Sequence, residues 1–137
     1  IILAVDYGYE RTGLAVCDKT ETLASPIGTI KESYMPKVAR RIFEAAEERK
    51  AELVVIGLPK NMDGTEGFRA ERTRRFAALV AEKTGAEVVF VDERLSTVEA
   101  YTYMNITGLP GTKRKGKIDA LSAQIILQSY LDAKKNG

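Results

Sequence analysis

Three short apolar runs joined by tight turns open the chain, and they restrict its fold more than any other feature of the sequence. The runs cover residues 2–5, 14–17 and 25–30, and each has the length and apolar content of a β-strand. Strands connected by so few residues pair with their sequence neighbours in antiparallel fashion. The amino-terminal part of the chain therefore predicts a three-stranded antiparallel meander.

Beyond the meander, the spacing of apolar residues changes to the period of a helix and then alternates between the helix and strand periods. The predicted elements are a helix over 36–50, a strand over 53–57, a helix that follows the 58–67 loop and ends near 83, a strand over 87–91, and two helices over 97–105 and 117–134 separated by a basic loop. This order indicates an α/β fold, a five-stranded mixed sheet flanked by helices. The length suits a single domain over residues 1–137.

Acidic residues follow the predicted parallel strands at the point where each strand ends. Right-handed crossovers set the first, fourth and fifth strands parallel, so their carboxyl ends share the sheet edge where open α/β folds keep their sites. Asp6 ends the first strand, and Asp92 and Glu93 end the fifth. Successive residues of a strand point to opposite faces, so at most one of Asp92 and Glu93 can face the side of Asp6. The pattern leaves open which one.

The composition excludes several kinds of catalytic site. The chain has no histidine and a single cysteine, Cys17, so it cannot use Ser-His-Asp catalysis, hold zinc through histidine or form an internal disulfide. An acid, a base or a metal ligand must then come from carboxylates, lysine, tyrosine or the backbone, and carboxylates favour Mg²⁺ or Mn²⁺. Cys17 is expected to be a small buried apolar residue. A lone cysteine and no apolar run long enough to span a bilayer predict a cytoplasmic protein without a membrane segment.

Basic residues are clustered, although the net charge is only +2. One cluster is Arg69, Arg72, Arg74 and Arg75, and the other is Lys113, Arg114, Lys115 and Lys117. The second cluster and Arg11 could supply positive charge for substrate phosphates. The first cluster equally fits the polar face that any surface helix needs.

Each acidic candidate also has a structural interpretation. Asp6 could stabilise its own turn, and Asp119, near the start of the last predicted helix, could complement the helix dipole. Ser96 and Glu99 have the spacing of a capping box. Asp63 could cap the helix that follows its loop.

Two further positions are candidates for contact with a substrate. Gly8, in the turn after Asp6, would let a phosphate or a metal-bound water approach the backbone. The loop over 57–67 contains three glycines and one proline and leaves a strand at the proposed active edge. A capping role for Asp63 would leave Lys60 and Asn61 in that loop unexplained.

Four segments together resemble the YqgF/RuvX family, Holliday-junction resolvases also described as pre-16S ribosomal RNA nucleases. The segments cover 4–15, 57–67, 92–97 and 117–120, occur in the family's order and span essentially the whole chain. The resemblance implies a ribonuclease H-like fold and Mg²⁺- or Mn²⁺-dependent phosphodiester cleavage. It maps the family's acidic positions onto Asp6, Glu93 and Asp119, as metal ligands and catalytic residues. The expected substrate-binding residues are Gly8, Arg11, Lys60, Asn61, Arg94, Lys113, Arg114, Lys115 and Lys117.

The expected function is a two-metal-ion endonuclease that matures the 5′ end of pre-16S ribosomal RNA, or alternatively resolves branched DNA, as a monomer or a weak homodimer. An actin-like or sugar-kinase-type phosphotransferase begins with a similar strand and Asp-x-Gly turn, but that architecture needs two domains. A non-catalytic nucleic-acid-binding factor is a further alternative, although such a protein gains nothing from acidic residues beside phosphates.

Overall fold

The computed structural model describes residues 1–92 in full, the backbone of residues 111–136 and the side chains of residues 120–135. Several predictions fall outside these residues. They are the helix over 97–105, the Ser96–Glu99 capping box, and the roles of Glu93 and Arg94.

Five strands form one mixed sheet. They are β1 (Ile2–Asp6), β2 (Arg11–Cys17), β3 (Ala24–Lys31), β4 (Leu53–Leu58) and β5 (Glu87–Asp92), in the spatial order β3-β2-β1-β4-β5. The pairs β1–β2 and β2–β3 are antiparallel, whereas β1–β4 and β4–β5 are parallel. The predicted meander and the predicted parallel strands are both confirmed.

The second strand begins earlier than its apolar run predicts. Residues 11–13, expected to belong to the turn, pair with residues 29–31 of β3. The turn after β1 is therefore confined to residues 7–10. Apolar content misses the start of β2 because Arg11 and Thr12 are polar, although their backbone groups continue the antiparallel ladder.

Three helices are described: α1 (Met35–Arg49), α2 (Phe68–Thr84) and α3 (Gly111–Asn136). The first two match the predicted helices, and α2 ends at Gly85, whose φ of 69° is left-handed as a helix C-cap favours. None of the described helices has the length and apolar content needed to cross a bilayer.

The predicted basic loop before the last helix is wrong. The segment from Lys113 to Lys117 lies within the first turns of α3, which begins at Gly111. Lysine and arginine are good helix formers, and the single interior Gly116 costs about 1 kcal/mol, which a helix of this length tolerates.

The sheet lies between two helical layers, because alternate residues of each strand point to opposite faces. On one face, Leu3 and Val5 of β1 pack with residues of α1 and α2 such as Ile42 and Phe76. On the other face, Ile2 and Ala4 pack with α3 residues, including Ala123, Ile126 and Leu127, and with the buried Cys17. The prediction that Cys17 is a buried apolar residue is confirmed.

Two glutamines fasten α3 to the start of the edge strand β3. Gln128 accepts a hydrogen bond from the backbone N–H of Ala24 (3.0 Å) and donates one to the carbonyl of Thr22 (3.1 Å). Gln124 donates to the carbonyl of Ala24 (3.1 Å). The last turns of α3 therefore lie at the start of β3.

These contacts also fix the direction of α3. Ala24 pairs with Cys17, at the end of the sheet opposite to Asp6. At the same end, the Lys134 ammonium contacts Glu21 at 2.9 Å. Helix α3 thus runs from the edge where β1 ends toward the edge where β1 begins.

We expect Gln128→Ala to lower the free energy of unfolding by about 1–3 kcal/mol, because it removes the partners of one partly buried backbone N–H and one carbonyl. Urea denaturation measures this change. Ser129→Ala, an exposed position on the same helix, is the control and is expected to change stability by less than about 0.5 kcal/mol. Equal effects of the two substitutions would show that Gln128 does not hold the helix to the sheet.

Candidate active site at the carboxyl edge of the sheet

Asp6 ends the central strand on the face that α3 covers. It follows Ile2 and Ala4, which pack against α3, in the alternation of β1. The three residues before it are fully buried, whereas Asp6 itself is partly exposed. The carboxylate therefore extends from a fixed backbone to a place that solvent and ligands can reach.

Asp92 belongs to the opposite face. In β5, Val89 and Val91 pack toward α3, whereas Phe90 packs toward α1 and α2. Asp92 follows Phe90 by two residues, so the alternation places it on the face of α1 and α2. Of the two acidic residues that end β5 in the sequence, Asp92 is therefore not the one that shares a face with Asp6.

Asp119 lies inside a helix and not in its first turn. The first turn of α3 contains no acidic residue, because the helix begins eight residues before Asp119. The interpretation of Asp119 as a partner of the helix dipole is thus wrong. Asp119 precedes Gln124 by five residues, so its backbone lies about 7.5 Å from that of Gln124 along the helix axis. This displacement is toward the sheet edge where Asp6 lies.

The donor set at this edge suits a hard cation, since a carboxylate offers oxygen ligands. Among the described side chains, no three His, Cys, Asp or Glu residues are close enough to hold a metal ion. The side chains of Glu93 and Asp119, two of the three predicted ligands, are outside that set.

The loop after β4 is closed by its own hydrogen bonds. The Asn61 amide donates to the Thr65 hydroxyl at 2.9 Å, and the backbone N–H of Asn61 donates to the Thr65 carbonyl at 2.8 Å. Asp63 accepts bonds from the backbone N–H (2.9 Å) and the hydroxyl (2.6 Å) of Thr65. The suggestion that Asp63 caps α2 is wrong: the N-cap is Gly67, and the helix has no side-chain cap hydrogen bond. The Asp63 carboxylate instead accepts hydrogen bonds from Thr65, two residues later, in a local turn.

The four arginines of α2 have two different environments. Arg74 forms two 2.8 Å hydrogen bonds to Glu66, which hold the pKa of that carboxyl below its ordinary value, and Arg75 pairs with Glu71 at 3.4 Å. Arg69 and Arg72 line a cleft beside Gly8, together with Tyr7 and Tyr9. The sequence contains a signal for the position of Arg72. Arg72 lies four residues before the buried Phe76, on the inward side of the helix, where charge is uncommon.

Gly8 has a steric role in the turn after β1. A Cβ atom built on Gly8 would collide with the backbone carbonyl oxygen of Arg11. The turn therefore requires glycine here whether or not a phosphate approaches it. Arg11 begins β2 on the far side of the same turn, opposite Lys31 of β3.

The remaining basic candidates have different positions. Lys60 is partly buried at the start of the loop after β4. The second basic cluster lies in the first turns of α3. This end of the helix is directed toward the sheet edge where Asp6 lies.

Comparisons with known proteins agree on one family. The sequence profile described as "RuvX: Holliday junction resolvase" matches residues 1–133. A protein of Endomicrobium trichonymphae named "Putative pre-16S rRNA nuclease" is 40% identical over 136 residues, covering 98% of this chain and 97% of that protein. A Lactococcus lactis protein of the same name is 42% identical over 134 residues, covering 96% and 94%.

Two solved structures share the fold at low sequence identity. Thermus thermophilus RuvC in complex with a Holliday junction substrate has a TM-score of 0.62 at 16% identity, covering 98% of this chain and 95% of that one. The Fowlpox virus resolvase in complex with Holliday junction DNA has a TM-score of 0.56 at 13% identity, with 97% of each chain covered. The predicted ribonuclease H-like fold is confirmed.

We expect Gly8→Ala to lower the free energy of unfolding by about 1–3 kcal/mol, because the turn must shift to accept the added carbon. Gly67→Ala is the control: its Cβ would meet the nearest atom, of the Asn61 side chain, at an ordinary 3.6 Å. The control is expected to cost about 0.5 kcal/mol, the difference between glycine and alanine as N-cap. Chemical denaturation measures both changes. A stable Gly8→Ala protein would mean that the collision is relieved without cost.

Proposed function

We propose that this chain, which belongs to the RuvX family of Holliday junction resolvases, is a nuclease that hydrolyses phosphodiester bonds with the help of divalent metal ions. One observation supports this most. Asp6 ends β1 on the face that α3 covers, and α3 brings the backbone of Asp119 toward the same edge. Acidic residues that approach one edge from a strand and from a helix are the arrangement that a carboxylate metal site requires.

The proposed metal ligands and catalytic residues are Asp6, Glu93 and Asp119. Their oxygen donors fit Mg²⁺ or Mn²⁺, and the chain has no histidine that would favour a softer metal. A bound pair of such ions supplies an activated water and stabilises the leaving oxygen of a phosphodiester. The chain's part is to hold ionised carboxylates at fixed positions, which the buried backbone of β1 does for Asp6.

Glu93 is proposed in preference to Asp92 because the two faces of β5 differ. Asp92 is exposed on the face of α1 and α2, away from Asp6. This observation agrees with the family resemblance, which also favours Glu93. Asp92 therefore serves as a natural control for the role of a carboxylate at this edge.

Positive charge near the edge would bind the substrate backbone. The proposed contacts are those expected from the sequence: Gly8, Arg11, Lys60, Asn61, Arg94, Lys113, Arg114, Lys115 and Lys117. Phosphate contacts of this kind position a strand and bind any sequence. Asn61 is the least favoured of them, since its amide already donates to Thr65.

The proposed substrate is pre-16S ribosomal RNA, cleaved at its 5′ end in the cytoplasm by a monomer or a weak homodimer. Relatives near 40% identity carry the name of that activity. Branched DNA is the second candidate, favoured by the description of the family and by the fold shared with resolvases bound to junctions.

We expect Asp6→Asn to abolish metal-dependent cleavage while leaving the fold intact, because the amide keeps the shape of the side chain and removes its charge. Asp92→Asn is the matched control and is expected to cleave like wild type. Gel assays of cleavage with Mg²⁺ or Mn²⁺, together with thermal unfolding of each variant, provide the measurement. Unchanged cleavage by Asp6→Asn would contradict the mechanism.

The same assay separates the two substrates. Precursor 16S RNA and a four-way DNA junction are compared at matched salt, because phosphate-driven binding depends steeply on ionic strength. Faster cleavage of the RNA is expected. Cleavage of the junction alone, lost in Asp6→Asn, would assign the chain to branched DNA.

A further inference from the structure

A second surface lies at the same sheet edge as Asp6 but on the opposite face. It is a shallow cleft between the turn after β1 and the first turns of α2, lined by Tyr7, Gly8, Tyr9, Arg69, Arg72 and Thr73. We refer to it as the arginine cleft. Its enclosed part measures about 10 Å³, room for about one water molecule. The cleft therefore suits a group that rests on its rim and cannot enclose a whole nucleotide.

A stack of rings holds the guanidinium of Arg72. The guanidinium carbon lies 4.8 Å from the centroid of the Tyr9 ring and 5.9 Å from that of Tyr7. Tyr7 stacks in turn on Phe76, with centroids 4.1 Å apart and planes at 9°. Because Phe76 is fully buried, the stack connects Arg72 to the core. Arg72 is thus held in place more firmly than a surface arginine.

Arg72 has hydrogen-bonding capacity that no described residue uses. Its Nε is buried and has no hydrogen-bond partner in the part of the chain that the structure describes, and the residue as a whole is partly exposed. A planar guanidinium held in this way offers parallel N–H groups that match two oxygens of a phosphate. Lysine could not reproduce that geometry.

The two arginines of the arginine cleft have no acidic partner among the described residues. Arg74 and Arg75, on other sides of α2, pair with Glu66 and Glu71. Neither Arg69 nor Arg72 forms an ion pair with any described residue. Arg69 lies in the first turn of α2, where the helix dipole is itself positive and a cation destabilises the helix. A positive charge at this end of the helix lowers its stability, and an anionic ligand bound there would offset that cost. The placement of the arginines therefore points to an anionic ligand.

We propose that the arginine cleft binds a backbone phosphate of the nucleic acid beside the phosphate that is cleaved at Asp6. Arg72 binds the phosphate through two hydrogen bonds, Arg69 adds a second charge, and Tyr9 is a positioning residue that acts through Arg72. Tyr7 follows Asp6 directly, as the first residue of the turn after β1, and packs with the other helical layer. A nucleic-acid strand that crosses this edge of the sheet can therefore contact both Asp6 and the arginine cleft. The inference rests on the proposed nuclease function.

The test is binding without cleavage, in EDTA, by fluorescence anisotropy over a range of salt. The probes are a labelled single-stranded RNA and a DNA strand of the same sequence, since both carry the phosphate. We expect Arg72→Ala to weaken binding of each probe about tenfold. The plot of log affinity against log salt is expected to become shallower by about 0.7, the value for one phosphate contact on a single strand.

Matched variants separate this role from general charge and from packing. Arg75→Ala removes the same charge from the same helix and is expected to change neither affinity nor slope. Arg69→Ala, at an exposed position, tests the site without disturbing the ring stack. Arg72→Lys is expected to keep most of the salt slope and to lose affinity. Tyr9→Phe is expected to bind like wild type and Tyr9→Ala about threefold more weakly.

The outcomes of this test are distinct from those of the cleavage assay. Equal effects of Arg72→Ala and Arg75→Ala, unchanged binding by Arg69→Ala, or no binding of either probe by wild type at low salt would overturn the inference. If Arg72→Ala and Arg69→Ala weaken binding but no nuclease activity is found, the phosphate site stands and the proposed catalysis fails.

Discussion

Burial of β1 on both faces is the constraint on which the rest of the structure depends. Leu3, Ala4 and Val5 have no exposed surface, because α1 and α2 cover one face of the sheet and α3 covers the other. The strand also has a partner on each side, β2 and β4. Any displacement of β1 would disturb both layers and two ladders of hydrogen bonds. The end of this strand is consequently among the most fixed points that the fold can offer to a reactive group.

Two neighbouring residues at that end belong to different surfaces. Asp6 shares the face of α3, and Tyr7 shares the face of α1 and α2. A single strand thus fixes the proposed metal ligand and the wall of the arginine cleft relative to one another. This rigidity is the property that catalysis by positioning requires, since small errors in the placement of a phosphate reduce the rate strongly.

Much of this fold could be predicted from the sequence, because it rests on local signals. The apolar runs and tight turns that predict the meander act over few residues, and Gly85 ends α2 as its position indicates. The start of α3 could not be predicted, because Gly111 and Gly116 resemble loop signals, whereas the lysines and the arginine between them are good helix formers. The same error concealed that Asp119 lies inside the helix.

The candidate site was predictable in part. Parallel strands bring their carboxyl ends to one edge, so the position of Asp6 follows from topology. The strand pattern alone left open the choice between Asp92 and Glu93, because the register of β5 relative to the two helical layers is not visible in the sequence. The family resemblance favoured Glu93, and the observed alternation of β5 places Asp92 on the other face. The arginine cleft depends on contacts between β1 and α2, residues far apart in the chain, and only the folded structure brings Arg72 over Tyr9.

The central claim is that Asp6 is a ligand in a carboxylate site for hard divalent ions. A crystal structure of the protein grown with Mn²⁺, with anomalous scattering recorded at the manganese edge, tests it most directly. The account predicts a manganese peak bound by Asp6, Glu93 and Asp119, at the end of β1 on the face of α3. A peak that Asp6 does not contact, or no peak at this edge in saturating Mn²⁺, would contradict it.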